Sequence, residues 1–325
     1  MQNKKLNFAA IDIGSNAVRL LIKSVNDGDS PDKMTKTVLL RVPLRLGEEV
    51  FGTGSISDEK EKQLLRTVKA FRLLMKVYDV TAYRACATSA MRDASNGMQI
   101  ARKVHNKTGI RLEIINGLEE ARMVYDSHIA DLLGREGHYI YVDVGGGSTE
   151  VSVISNGKLI GSNSYDIGTV RSLGGMVKLA DIESLNRDLA VLAADYPDLK
   201  IIGTGGNINK LYRLKGNKND NRLDVADLKA IYDELKALTV EERISAFRLN
   251  PDRADVIIPA AEIFLNIAER VHADSICVPT IGITALHPLP ERPGSLTAGS
   301  RFFERKRPER HSTADGRTGK NSSAI

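Results

Sequence analysis

Three glycine-rich stretches carry the residue types that handle phosphate: DIGSN at 12–16, DVGGGSTE at 143–150 and GTGG at 203–206. A turn built of glycine has no Cβ to hold an anion off, so several backbone N–H groups can aim at one phosphate. Ser and Thr hydroxyls add donors. Asp12 and Asp143 stand just before their turns. A carboxylate there repels a bare phosphate, but it can hold Mg²⁺ directly or through water, and the metal bridges the two. The competing reading is a pair of tight hairpins whose aspartates only bond turn amides. One such loop would be weak support. Two related loops and a third glycine turn favour phosphate.

Phosphoanhydride hydrolysis also needs a carboxylate within reach of the attacking water. Glu150 closes DVGGGSTE, and Glu119 and Glu120 open the helical stretch of NGLEEAR. Acids in a first helical turn also simply favour the helix dipole. Adjacent helical residues point about 100° apart, so at most one of Glu119 and Glu120 faces a cleft. In ATSAMRDASN, Arg92 offers a planar fork suited to clamping a phosphate, although a surface arginine bonding carbonyls fits that window nearly as well. Arg19, in NAVRL, falls on one face of a half-buried strand, and its role is open.

The elements that must position these groups alternate between strand and helix. NFAAIDIG and VRLLIKSV flank the GSN turn as a hairpin, TVLLRV follows as a strand, and HYIYVDVGGGSTEVSVISNGKLIGSNSYDIG reads as a three-strand meander. Residues 57–78 set Leu64, Leu65, Val68, Phe71, Leu74 and Met75 on one helical stripe. Another helix runs towards Lys107 with Asp93 or Ser95 as its cap, and more are expected around 168–176, 181–195, in NINKLYRL and over 224–237, 240–248 and 252–272. Such alternation, with a hairpin opening each half, predicts a mixed α/β sheet. The two hairpins also echo each other. AAIDIGSNAVRLLIKSVNDG and IYVDVGGGSTEVSVISNG share a strand, an Asp-x-Gly turn, a second strand and a closing Asn/Gly turn. Asp12 thereby corresponds to Asp143, and the pattern predicts a duplicated α/β domain that presents two equivalent loops to one cleft.

Composition narrows the class. At 325 residues, with 42% hydrophobic and 27% charged, the chain suits two soluble domains, and a net charge of +5 favours anionic partners. Two distant cysteines, Cys86 and Cys277, exclude a disulfide framework and fit a cytoplasmic location. Six scattered histidines have no zinc spacing. The N-terminal apolar run is short and carries Asp12, so it reads as a first strand and neither a leader nor a membrane span.

DIGSNAVRL, ATSAMRDASN, IINGLEEAR, DVGGGSTEVS and GTGGNINKL occur in the order seen in the exopolyphosphatase / guanosine pentaphosphate phosphohydrolase family, and residues 6–283 resemble its short two-domain form. The resemblance implies an α/β fold of two ribonuclease-H-like domains, of the actin-like, sugar-kinase and heat-shock-ATPase superfold, around an interdomain cleft. They would span residues 6–124 and 125–283. It implies hydrolysis of the terminal phosphate of inorganic polyphosphate, or of the 5′-γ-phosphate of guanosine pentaphosphate, with Mg²⁺. Carried over by motif, Glu120 would be the water-activating base, Glu150 a second catalytic or metal-linked carboxylate, and Asp143 a Mg²⁺ ligand. Gly145, Gly146, Gly147 and Ser148 would form one phosphate loop, Ser15 and Asn16 another, and Gly205 and Gly206 a third turn, with Arg92 as the basic residue. Ala17 and Asn116 stand where serine is common in the family.

The pattern stops abruptly after VPTIGI. Pro288, Pro290, Pro293 and Pro308 forbid a continuous helix, and residues 284–325 are expected to form a disordered basic tail, which suggests a shifted reading frame or a degenerate end. Three alternatives accompany the exopolyphosphatase reading: guanosine pentaphosphate phosphatase activity, a kinase of the same superfold, and a regulator that binds polyphosphate or guanosine tetraphosphate without turnover. The partners implied are the polyanionic substrate and, at most, a second copy of the chain. A membrane and nucleic acid are not expected.

Overall fold

The computed structural model describes residues 5–29, 33–125, 136–216 and 220–279. Its first sheet holds β1 (Lys5–Ile13), β2 (Val18–Asn26), β3 (Thr35–Val42), β4 (Val80–Ala87) and β5 (Glu113–Ile114) in the order β3-β2-β1-β4-β5. Around it lie α1 (Leu46–Thr53), α2 (Asp58–Val77), α3 (Ser89–Asp93), α4 (Gly97–Thr108) and α5 (Gly117–Tyr125). The second sheet holds β6 (His138–Val144), β7 (Thr149–Ser155), β8 (Lys158–Tyr165), β9 (Lys200–Thr204), β10 (Arg222–Asp224) and β11 (Ser275–Cys277), in the order β10-β11-β9-β6-β7-β8. Its helices are α6 (Thr169–Leu173), α7 (Leu179–Asp195), α8 (Gly206–Leu214), α9 (Val225–Lys236), α10 (Val240–Phe247), α11 (Pro251–Ala254) and α12 (Ile257–Arg270).

Read along the sheets, β3-β2-β1-β4-β5 matches β8-β7-β6-β9-β11, with β10 added at the far edge. In each half the first strand pairs antiparallel with the second and parallel with the fourth. The echo between the two hairpin sequences is therefore a duplication of topology. Each half also has its own apolar core. One gathers Ile11, Leu20, Leu64 and Phe71, and the other Ile140, Val153, Leu189 and Phe264.

Local sequence explains most element boundaries. Ser57 caps α2 by accepting the Lys60 N–H, and Leu64, Val68, Phe71 and Met75 recur on its buried face. The cap expected at Asp93 or Ser95 is displaced. Residues 89–93 form the separate helix α3, and α4 starts after Asn96, whose side chain is spent bracing both backbone groups of Ile56. The helix expected over 252–272 is broken as well. Asp255 accepts the Val256 N–H at 2.8 Å and pairs with Arg45 at 2.7 Å, which separates α11 from α12. Residues 284–325 lie outside the described residues. Cys86 and Cys277 are both free, and among the described residues no helix is long and apolar enough to cross a membrane.

Candidate active site

The turns after β1 and β6 and the ends of β4 and β9 meet at one cavity between the halves. Gly14, Ser15 and Asn16 line it from the first turn, Gly145, Gly146 and Ser148 from the second, and Gly205 and Gly206 from the third. Four carboxylates face into it: Asp12, Glu120, Asp143 and Glu150. Strand register accounts for three of them. Asp12 stands directly opposite Arg19 across β1 and β2, and Asp143 directly opposite Glu150 across β6 and β7. Opposed residues of an antiparallel pair share a sheet face. The duplication thus puts an arginine in one half where the other has a glutamate. Arg19 uses its place to bind Asp12 at 2.8 Å.

The fourth carboxylate arrives on α5, which packs against β7 and β8 of the other half. Asn116 fixes its first turn, accepting the Glu119 N–H at 2.8 Å through its side chain and the Glu120 N–H at 3.0 Å through its carbonyl. Gly117 permits the approach, because a Cβ there would lie 2.3 Å from that of Ser164. The two adjacent glutamates then diverge. Glu119 turns away to Arg84 at 2.8 Å, while Glu120 enters the cavity. Ser164 in turn donates to Glu150 at 2.9 Å, so one serine both abuts α5 and orients a site carboxylate.

Crowding of acids in a poorly hydrated place raises their affinity for protons. Burial, then Asp12, push Asp143 up to about 6, with Arg19 pulling the other way. Burial raises Glu120 well above the usual carboxylate range, and the charges of Glu150, Asp12 and Asp143 add to it. Glu150 is likewise pushed up, to about 7, by burial and Asp143, against hydrogen bonds from Ser148 and Ser164. Glu120 Oε2 is buried without a hydrogen-bond partner. Its nearest cation, Arg92 Nη1, is 3.9 Å away and donates instead to the Ile115 carbonyl at 3.0 Å.

The structure separates the expected phosphate ligands into two groups. Gly145, Gly146, Ser148, Ser15, Asn16, Gly205 and Gly206 line the cavity, whereas Gly147 and Arg92 do not. A Cβ on Gly147 would fall 2.4 Å from both the Phe51 ring and Ser89 Oγ, and one on Gly146 would fall 3.0 Å from Ser15 Cβ. These glycines let the second-half loop pack onto the first-half loop. Close packing is therefore a reason for glycine at both positions. Ser15 is similarly committed: its hydroxyl bonds Ser89 Oγ at 2.7 Å and accepts the Ala90 N–H at 3.2 Å. Asn16 donates to the Asp252 carbonyl, which leaves its own Oδ1 buried and unpartnered.

Sequence reasoning left Arg19 open and missed Ser164, Arg171 and Arg253. Arg19 was reachable, since it follows Asp12 at the same interval as Glu150 follows Asp143. Arg253 was not, because α11 meets the first half only in three dimensions. It abuts Gly206, and its proton affinity is lowered by burial and then by Arg41, Arg19 and Arg213, which leaves a concentration of positive charge beside the cavity.

The donor set suits a hydrated magnesium ion better than an enclosed metal cage. Among the described residues no three His, Cys, Asp or Glu side chains come together closely enough to hold an ion by themselves. Mg²⁺ commonly takes one or two carboxylates and keeps several waters. Asp143 and Glu150, neighbours on one face with raised proton affinity, fit that demand, and the bare Glu120 oxygen fits a partner that brings its own hydrogens.

Known proteins resemble this chain over most of its length. The chain is 26% identical over 277 residues to exopolyphosphatase 1 of Mycobacterium leprae, covering 79% of this chain and 80% of that protein. It is 26% identical over 282 residues to a guanosine-5′-triphosphate,3′-diphosphate pyrophosphatase of Aliivibrio fischeri, covering 83% of this chain and 56% of that one. Among solved structures, an Aquifex aeolicus Ppx/GppA protein is 28% identical, with a TM-score of 0.66 over 85% of this chain and 94% of its own. An exopolyphosphatase from Cytophaga hutchinsonii, 22% identical, shares the fold with a TM-score of 0.75 over 86% of this chain and 95% of its own. Residues 21–284 match the family as a whole, and the chain belongs to the Ppx/GppA phosphatase family.

Proposed function

We propose that this protein is an exopolyphosphatase that removes the terminal phosphate of inorganic polyphosphate. The observation that carries the reading is Glu120: a carboxylate from the first half, with an unpartnered buried oxygen, facing Asp143, Glu150 and three glycine turns. The terminal phosphate lies against the turns at Gly145–Gly146 and Gly205–Gly206, with the rest of the chain towards Arg19 and Arg253. Asp143 and Glu150 would hold Mg²⁺, which when bound would neutralise phosphate charge. Glu120, deprotonated, orients a water and takes its proton as the oxygen attacks phosphorus, and the bridging P–O bond breaks towards the remaining chain. Arg92 stays within electrostatic reach of Glu120 and favours its ionised form.

A second reading, hydrolysis of guanosine pentaphosphate, is favoured by one feature. Ala10, Leu21, Leu39 and Met123 form an apolar end to the same cavity, which suits a nucleobase better than a phosphate chain. Phosphate release on both substrates, with Mg²⁺ and with excess EDTA, separates these. A higher kcat/KM on long polyphosphate supports the first reading, and a higher value on the nucleotide replaces it with the second. The variant Glu120→Gln should lose about 10²- to 10⁴-fold in kcat while still binding polyphosphate. Near-normal turnover in it removes Glu120 from the chemistry. Binding of polyphosphate by the wild type, with no release from either substrate, would make the protein a sensor.

A further inference from the structure

The three glycine carbonyls of the DVGGGST loop are engaged by α6. Gly145 O accepts from Thr169 N–H at 3.0 Å, and Gly146 O from Val170 and Arg171 N–H at 2.8 and 3.1 Å. Gly147 O accepts from the Arg171 side chain, Nε, at 2.9 Å. A trans peptide sets its C=O and the following N–H on opposite sides, and there is no cis peptide here. Capture of these carbonyls by the start of α6 therefore turns the amides of Gly146, Gly147 and Ser148 the other way. Among the described residues none of these amides has a backbone acceptor, and Gly146 and Ser148 line the cavity.

Arg171 does more than hold one carbonyl. Its side chain is 11% exposed, its Nη2 donates to Asp93 Oδ2 at 2.6 Å, and its guanidinium lies 3.9 Å over the Phe51 ring. Asp93 and Phe51 belong to the first half, and Gly147 to the second. One planar group thus satisfies the loop carbonyl, a carboxylate across the cleft and an aromatic face together. Lysine cannot copy that geometry, since its ammonium is a point charge without a fork.

Building on the phosphohydrolase reading above, we propose that Arg171 is the positioning residue of this site. It sets the Gly147–Ser148 peptide so that the loop amides meet the substrate phosphate, and it anchors that loop to the first half through Asp93 and Phe51. Arg171 touches no reacting atom in this scheme, so its loss should appear in binding and leave most of the chemistry.

The test measures tripolyphosphate binding by calorimetry, together with kcat and KM for phosphate release, on the whole chain carrying Arg171→Met, Arg171→Lys or Asp93→Asn. For Arg171→Met, Kd and KM should rise about 10- to 100-fold, the range for losing a charge-assisted hydrogen bond, with kcat within about threefold. Arg171→Lys should stay within a few-fold of Arg171→Met. Asp93→Asn, at a residue with a partly exposed side chain, should raise Kd several-fold and serves if neither arginine variant folds. A lowered melting temperature with unchanged Kd and KM in the folded variants would make Arg171 merely structural and overturn the proposal. So would a loss confined to kcat, full rescue by lysine, or an unchanged Asp93→Asn. If the wild type binds tripolyphosphate but releases no phosphate from any substrate, the hydrolase reading fails while the binding arms still decide Arg171. If it does not bind tripolyphosphate, the proposal falls.

Discussion

Replacing Asp143 with Asn should make the protein more stable at pH 8 while removing its activity. Burial raises Asp143 from 3.8 to about 6 in the folded chain. That is about two pKa units, and at about 1.36 kcal/mol per unit the ionised group costs the fold on the order of 3 kcal/mol. The folded-state value lies above the unfolded one. The stabilisation from the protonated form is therefore complete below about pH 4 and is lost as pH rises through about 6. Asparagine keeps the shape and drops the charge, so the variant escapes that loss. Its melting temperature should nearly match the wild type only below about pH 4, show about half of its full gain at pH 5, and exceed the wild type by roughly 6–12 °C at pH 8, at about 2–4 °C per kcal/mol for a domain of 150–250 residues. Both proteins are scanned by calorimetry from about pH 4 to 8 in EDTA, so that no cation compensates the charge. Parallel curves of melting temperature against pH would refute the claim that burial and Asp12 strain this carboxylate.

The remaining expectations concern rate and packing. The kcat/KM for phosphate release should fall as pH drops through about 7, because protonation of Glu150 and Glu120 removes the charges that the reaction uses; a profile flat from pH 8 to 5.5 contradicts that. Gly147→Ala should destabilise by about 1–3 kcal/mol, since the added Cβ meets Phe51 and Ser89 Oγ at 2.4 Å in a backbone that is not left-handed. Urea unfolding measures this, and an unchanged midpoint would mean that the two loops are not packed as described.

Much of the site was legible in the chain because it depends on local rules. Period-two alternation, the Asp-x-Gly turns and their repetition give two hairpins, and each hairpin's register then fixes what stands opposite its aspartate. Adjacent glutamates on one helix must diverge, and Glu119 and Glu120 do. The interval between Asp12 and Arg19 equals that between Asp143 and Glu150, so even the charge reversal between the halves was written in the sequence. Such features need only neighbours in the chain or one turn away.

Everything that joins the two halves needed the tertiary structure, because it links residues far apart in sequence with no periodic trace. Nothing near Gly147 shows that its missing Cβ leaves room for Phe51 and Ser89, or that Arg171 will reach Asp93. Likewise, Ser15 and Asn16 read as open donors, but packing had already assigned Ser15 to Ser89 and the Asn16 amide to the Asp252 carbonyl. Composition and pattern determined two α/β halves with glycine-rich turns after their first strands. How those loops press together, and which carboxylates are left crowded in a poorly hydrated gap, was decided by contacts that form only when both halves have folded.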